Sequence, residues 1–289
     1  MTSANLVSKK ILQKVFPTRE KWSHKGQYGK LLVVAGSKRF TGSPIFNCLS
    51  AYRAGCDLVF LAAPQRAADI AASFSPEIIS LPLEGDYFFS SHVSQVLDLA
   101  HDYGATALLV GGGLWRTPET LDAIRLLLRR TSLPTVIDAD GLRAVAQDPS
   151  SLAGIRRKSI LTPHSKEFEV LAGKMPSTDL KARTKAVENL AKKLETTILL
   201  KGATDIISDG KRTAFNETGS PFMTKGGFGD CLAGIAGAFL ARGIPPFDAA
   251  CAAAFVNGKA GEIAAKEKGE SLLPSDLIAT LASVLRQSV

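Results

Sequence analysis

The stretch "TKGGFGDCLAGIAGAFLARG" (residues 224–243) sets three glycines and an aspartate directly ahead of a long apolar run. The run reads as a helix starting near Asp230. Gly226, Gly227 and Gly229 carry no side chains that would keep an anion away from the backbone, and a helix N-terminus offers free N–H groups and the positive end of its dipole at the same point. This is the composition of a phosphate cradle. It is neither a P-loop, which ends in Gly-Lys-Ser/Thr, nor the GxGxxG of a dinucleotide fold. Asp230 is the unexpected member, because a carboxylate repels a neighbouring phosphate. One reading makes it an N-cap. The other makes it a base that takes a proton from a substrate hydroxyl as that oxygen attacks a nucleotide's terminal phosphoryl group, while the loop amides stabilise the transferring oxygens.

Outward from this loop, short β-branched runs alternate with helical patterns. The runs are "KLLVVAG" (30–36), "DLVFLAAP" (57–64), "EIISLPL" (77–83), "TALLVGGG" (106–113), "PTVIDADG" (134–141), "KSILTPH" (158–164) and "TTILLKG" (196–202). Unbroken apolar strands are buried on both faces, so an α/β sandwich with a parallel sheet between helical layers follows. Helices are expected over 44–55, 90–104 and 117–130, the last with a Thr-Pro-Glu start and arginines at its end. "TDIISDGKRTAFNETGS" (204–220) predicts a strand, an Asp-Gly hairpin and a second strand, which adds an antiparallel edge. With no internal repeat and no linker, residues 1–289 are expected to form one domain. Most strands end in Gly, Asp, His or Lys, placing the polar chemistry at the carboxyl ends where ligands bind in open parallel sheets.

The composition, 45% hydrophobic and 21% charged over 289 residues, supports a sizeable core and argues against a disordered chain. Arg242, Pro245, Pro246 and Asp248 interrupt the longest apolar stretches, so no membrane span is expected, and a cytoplasmic location is the default. The net charge of +8 is spread along the chain without a basic arm, which suits a phosphate-bearing small ligand better than a nucleic acid. Cys48, Cys56, Cys231 and Cys251 lack metal-ligand spacing and read as buried small hydrophobes. The apolar segment "DAACAAAFVNGKAGEIAAKEKG" (248–269) raises the expectation of a homo-oligomer.

Taken in order, "HKGQYGKLLVVAGSKRFTGSPIFNCLSAYRAGCDLV" (24–59), "VIDADGL" (136–142), "LTPHSKEFEVL" (161–171), "LLKGATDII" (199–207) and "GGFGDCLAGIAGAFLARG" (226–243) resemble the ribokinase-like superfamily. Within it they are most similar to the ADP/ATP-dependent NAD(P)H-hydrate dehydratase family, the YjeF C-terminal type, whose members are often described as carbohydrate kinases. The resemblance implies a three-layer sandwich with helices on both faces of a mostly parallel sheet. It also implies repair of hydrated NADH or NADPH, by phosphorylation of the ring hydroxyl from ADP or ATP and elimination of phosphate.

By the same resemblance Asp230 is the catalytic base and contacts the hydrate. Gly229 lies against nucleotide phosphates. Lys201, Gly202, Ala203, Thr204 and Asp205 line the adenine nucleotide site, and Ser43, Gly113 and His164 contact the hydrate. Asp138 and Asp140 either cap the helix that follows or help organise Mg²⁺ held mainly by nucleotide phosphates; no protein metal site is expected. Glu167 and Glu169 suit an early helical turn, and Lys225 is either a phosphate neighbour or an exposed lysine.

Two positions depart from the family. Phe228 stands where the loop usually has threonine, and Trp115 stands at the last glycine of a turn that usually reads Gly-Pro-Gly-Leu-Gly. Phe228 is expected to pack outward or to line the ligand pocket with catalysis retained. Two alternatives stay open: a kinase for a sugar, hydroxymethylpyrimidine or hydroxyethylthiazole, and a nucleotide-binding protein whose site these aromatics block. "LTPHSKE" and "SKRFTGSP" favour the hydrate family. The epimerase activity that usually accompanies it is expected to require a separate N-terminal domain.

Overall fold

Leu31 and Val33 are buried among one set of helices, while Leu32 and Val34 are buried among another. Successive side chains of a strand point to opposite faces, so this alternation means that the strand Lys30–Val34 is covered on both sides. The computed structural model describes residues 5–286. Among them, numbered in chain order, the strands are β1 (Lys30–Val34), β2 (Leu58–Pro64), β3 (Ile79–Leu83), β4 (Ala107–Val110), β5 (Thr135–Ile137), β6 (Ser159–Leu161), β7 (Thr197–Leu200), β8 (Asp205–Ser208) and β9 (Thr213–Asn216). They form one sheet in the order β3-β2-β1-β4-β5-β6-β7-β8-β9. Neighbours from β3 to β7 pair parallel, and β7–β8 and β8–β9 pair antiparallel.

One face carries α1 (Ile11–Val15), α2 (Gly42–Arg53), α3 (Gln65–Phe74), α9 (Phe228–Ala241), α10 (Pro246–Lys268) and α11 (Pro274–Arg286). The other carries α4 (His92–Asp102), α5 (Pro118–Arg130), α6 (Asp140–Gln147), α7 (Ser165–Ala172) and α8 (Leu180–Leu194). The result is the expected three-layer sandwich with an antiparallel edge. The Thr117 hydroxyl caps α5 by accepting from the Thr120 N–H, and Asp209 closes the β8–β9 hairpin by accepting from the Lys211 and Arg212 amides at 2.9 and 2.7 Å.

After β1 the chain builds outward to β3, then returns to add β4 on the other side of β1. Loops leaving β1 and β4 therefore diverge at their carboxyl ends and open a crevice. The two loops are tied together there by a hydrogen bond from the Gly36 N–H to the Gly112 carbonyl at 2.8 Å.

The strands end earlier than their apolar runs suggest. The 106–113 run stops at Val110, 134–141 at Ile137, 158–164 at Leu161 and 196–202 at Leu200, and the polar residues beyond each stop form the loops of the crevice. The glycine-loop helix starts at Phe228, two residues before the expected point, which puts Asp230 in its first turn. All four cysteines are free and buried. The alanine-rich α10 is also internal: its small residues from Ala249 to Ala265 pack inside this chain against α1, α9 and α11. The apolar face read as a seat for another subunit is thus already covered within the protomer. Among the described residues, no helix is long and apolar enough to cross a membrane.

Candidate active site

The position of Asp230 follows from how closely two helices approach. A Cβ on Gly234, one turn along α9, would lie 2.1 Å from the Ser50 Oγ and 2.3 Å from the Asn47 carbonyl oxygen of α2. Glycine alone permits that contact, and it draws the start of α9 against the start of α2. There the Asn47 Nδ2 donates to the Asp230 main-chain carbonyl at 2.8 Å, and the Ser43 Oγ donates to the Asp230 Oδ2 at 3.2 Å. The turn after β4 closes the third side. A Cβ on Gly112 would fall 2.9 Å from the Asp230 Oδ1 and 3.0 Å from the Asn47 Oδ1, and one on Gly113 would fall 3.3 Å from the Ser43 Oγ. Ser43, Gly113 and Asp230, proposed from widely separated segments, are brought together at the switch point of the sheet.

Asp230 is not an N-cap. That position belongs to Gly227, with φ of 109°, and no side chain caps the helix. The Asp230 pKa is raised to about 7. Burial is the main cause and the negative charge of Asp138 adds to it; the Ser43 hydrogen bond and the Lys201 ammonium act the other way, and Asp140 raises it further. A carboxyl poised near neutrality can hold a proton or release one at physiological pH.

Facing this carboxyl is a cation. Lys201, the first residue after β7, places its Nζ 3.2 Å from the Asp138 Oδ1 and 3.7 Å from the Glu167 Oε2. Burial opposes its charge, but Asp138 and Glu167 outweigh that and its pKa is raised. Asp138 is held in turn by the Thr162 hydroxyl at 2.7 Å. A Cβ on Gly229 would lie 3.4 Å from the Lys201 Nζ, so the ammonium stands beside the first turn of α9. The first helical bond of α9 runs from the Cys231 N–H to the Gly227 carbonyl, which leaves the amides of Phe228, Gly229 and Asp230 outside the helical ladder. A fixed ammonium and unpaired first-turn amides together make an anion site.

This anion site opens into a cleft of about 620 Å³ lined by Lys201, Gly202, Ala203, Asp205, Phe228 and Gly229, with the loop after β9 and α10 as its other walls. Asp205 fixes the turn after β7, accepting from the Gly202 N–H and the Asn216 Nδ2, both at 3.0 Å. Burial raises its pKa to about 6 against the pull of those donors. Thr204 occupies the same turn without joining the lining.

The glycine cradle is shifted forward from the expected position. Gly226 is exposed, and Gly227 packs against Phe46 and Pro274 instead of facing the cleft. The amides with no helical partner begin at Phe228, whose buried ring forms part of the cleft wall. His164 also lines the cleft, but as the N-cap of α7: its Nδ1 accepts from the Lys166 and Glu167 amides, and Glu167 accepts from the His164 N–H in return. Neither Asp138 nor Asp140 caps a helix. The Asp140 carboxylate accepts from the Trp115 N–H at 2.9 Å and from the Arg116 Nε at 2.8 Å. Lys225 donates to the Glu270 carbonyl.

Two residues of the site carried no sequence signal. Asn47 lies inside an ordinary amphipathic helix, and Asn257 lies inside the apolar α10, where the residue lines the cleft and its buried Oδ1 has no donor within the described residues. A lone asparagine in a run of alanines is the only pointer the sequence offers.

Residues 31–283 match the profile of the family described as NAD(P)H-hydrate dehydratase. The chain belongs to that family. It is 37% identical over 284 residues to the ADP-dependent (S)-NAD(P)H-hydrate dehydratase of Cenarchaeum symbiosum, covering 98% of each chain. It is 44% identical over 274 residues to the bifunctional NAD(P)H-hydrate repair enzyme Nnr of Pyrobaculum aerophilum, covering 93% of this chain and 53% of that one. This NAD(P)H-hydrate dehydratase family member thus spans about half the length of the bifunctional relatives it matches. The fold is shared with two solved structures. One is a ribokinase-like superfamily protein from Enterococcus faecalis, with a TM-score of 0.86, 22% identity and coverage of 99% and 96% of the two chains. The other is the ADP/ATP-dependent NAD(P)H-hydrate dehydratase of Bacillus subtilis co-crystallised with ATP/Mg²⁺, with a TM-score of 0.81, 23% identity and full coverage of both chains.

Proposed function

We propose that this chain restores NADH or NADPH from their hydrates with ADP or ATP as phosphoryl donor. The observation that carries the reading is the pairing of a near-neutral carboxyl, Asp230, with the α9 amides and the Lys201 ammonium at one mouth of a nucleotide-sized cleft. Asp230 accepts the proton of the hydrate's ring hydroxyl as that oxygen bonds to the terminal phosphorus of the donor, and the nucleotide leaves one phosphate shorter. The free amides and Lys201 stabilise the charge on the transferring oxygens. Phosphate then departs with the ring C–O bonding pair, the adjacent ring carbon gives up a proton, and the double bond returns.

The residues also fit a magnesium ion carried on the nucleotide. Among the described residues no group of three or more His, Cys, Asp or Glu is placed to hold a metal, and that cation needs only one or two protein carboxylates when phosphates supply the rest. Asp138 and Asp140, whose charges both act on Asp230, are the carboxylates that would take this role. When bound, the ion neutralises phosphate charge.

Incubation of the purified chain with hydrated cofactor, Mg²⁺ and either nucleotide tests the proposal. Reduced-nicotinamide absorbance should return in step with released phosphate. A phosphorylated hydrate that accumulates instead makes the chain a kinase, and nucleotide binding with no product makes it a blocked binding protein. The open cleft beside the Phe228 ring weighs against blockage.

A further inference from the structure

The turn after β4 ends in an arrangement that neither the fold nor the phosphoryl chemistry uses. Trp115 has φ of 82°, in the left-handed region that side chains avoid. The preceding Leu114 is fully buried and supplies the packing, whereas Trp115 is only half-buried. The unfavourable backbone is pinned by the Trp115 N–H bond to Asp140, and the indole is built into a stack. The Phe40 ring lies 5.7 Å away at 33°, and the Arg39 guanidinium sits 4.6 Å above the indole centroid. Phe40 remains 45% exposed.

This aromatic shelf adjoins the Ser43–Asp230 pair. A Cβ on Gly113 would meet the Phe40 Cβ at 2.8 Å and the Ser43 Cβ at 3.3 Å. It lies apart from the nucleotide cleft, whose lining includes none of Arg39, Phe40 and Trp115. The neighbouring cations are already committed, Lys38 to Asp86 and Arg116 to Asp140. Arg39 pairs with no carboxylate among the described residues and keeps its charge available above the ring.

Resting on the dehydratase reading, we infer that this shelf receives the adenosine end of the hydrated dinucleotide, with Arg39 gripping the 2′-phosphate, so that hydrated NADPH is preferred over hydrated NADH. The reacting ring has a tetrahedral carbon and must lie against Asp230. The purine is the planar ring that remains to stack, and the Phe40–Trp115 ring pair suits it. A guanidinium is also the group that matches a phosphate dianion in charge and geometry.

Turnover of both hydrates by wild type, Arg39→Met and Trp115→Gly tests this. The wild type should favour the NADPH hydrate on the order of 10-fold in kcat/KM, as expected for one charge-assisted contact. Arg39→Met should abolish the preference through KM alone and leave the NADH hydrate within about twofold. Trp115→Gly, which relieves the backbone, should raise KM for both hydrates by roughly 10-fold. Equal handling of the two hydrates by wild type, an Arg39→Met loss that falls equally on both, or an unchanged KM in Trp115→Gly overturns the inference.

A second arm needs no turnover. The chain has two tryptophans, and Trp22 is 88% exposed, so Trp22→Phe isolates Trp115 emission. With ADP filling the cleft, NADP⁺ should quench that emission saturably and more tightly than NAD⁺. Absence of quenching removes the shelf even if the enzyme turns over. Quenching without any turnover leaves the shelf standing and removes the dehydratase reading.

Discussion

Asp205 lines the cleft and Asp230 follows its lining residue Gly229, and burial raises the pKa of both. Asp205 has a donor on each carboxylate oxygen, and both donors belong to the backbone frame it stabilises: the β7–β8 turn and the end of β9. Asp230 has a single side-chain donor, Ser43, and a neighbouring negative charge in Asp138. The same residue type, buried at both places, thus becomes a structural clasp where its lone pairs are used and a proton acceptor where one oxygen is left for the substrate. Replacing each by asparagine should separate the two roles.

The larger effect is expected at Asp230. Asp230→Asn keeps size and the Ser43 contact but cannot take a proton, so kcat should fall by about 100-fold or more while KM for the nucleotide stays within a few-fold. Stability should move the other way. Because the folded chain binds the Asp230 proton more tightly than the unfolded chain does, the native state loses stability as pH rises from about 4 to about 7, and above that it carries the full cost of a charged carboxylate. The variant escapes that cost. Discounted for the partial exposure of the group, its advantage at pH 8 should be on the order of 1–2 kcal/mol, vanishing toward pH 4 in thermal melts. A variant as active as wild type would remove Asp230 from the chemistry.

At Asp205 the pattern should reverse. Asparagine retains one acceptor, but its amide group then opposes the Asn216 Nδ2, and Asn216 cannot turn over without giving up the bond its Oδ1 accepts from the Thr218 hydroxyl at 2.8 Å. Asp205→Asn should therefore cost about 1–2 kcal/mol in unfolding free energy. It should also raise nucleotide KM by roughly 10-fold as the Gly202–Asp205 turn loosens, with kcat changed much less. Equal losses of kcat in the two asparagine variants would erase the distinction.

The two carboxylates were not equally legible in the sequence. Asp230 announces itself because glycines and a helix start surround it, and apolar runs together with turn and cap residues supply the strands, the antiparallel edge and the helices capped by Thr117 and Gly55. Asp205 looks like any polar residue opening a hairpin, and only the resemblance placed it near a nucleotide. What stayed hidden depends on long-range approach. The Asn47 contact to α9 exists because Gly234 lets two helices touch, a relation between residues 187 positions apart. The Lys201–Asp138–Thr162 chain joins the ends of three strands whose order in the sheet no local pattern states. The forward shift of the cradle to Phe228 comes from Gly227 turning against Phe46 and Pro274, one of them beyond residue 270.

The smallest expected effect separates tuning from contact at Asp230. Its charged form is favoured by the Ser43 hydrogen bond and by Lys201, so Ser43→Ala should move the Asp230 pKa upward from about 7. One hydrogen bond to a partly hydrated carboxylate is worth about 1 kcal/mol or less, which corresponds to roughly half a pH unit. Since a base must be deprotonated to act, kcat/KM should rise with pH through a limb near 7 in wild type and through a later one in Ser43→Ala. The variant would then turn over about threefold more slowly well below the limb and at the wild-type rate well above it. If Ser43 instead grips the hydrate directly, the limb should stay in place while KM rises at every pH. A pH series on the one variant therefore decides whether the hydroxyl serves the base or the substrate.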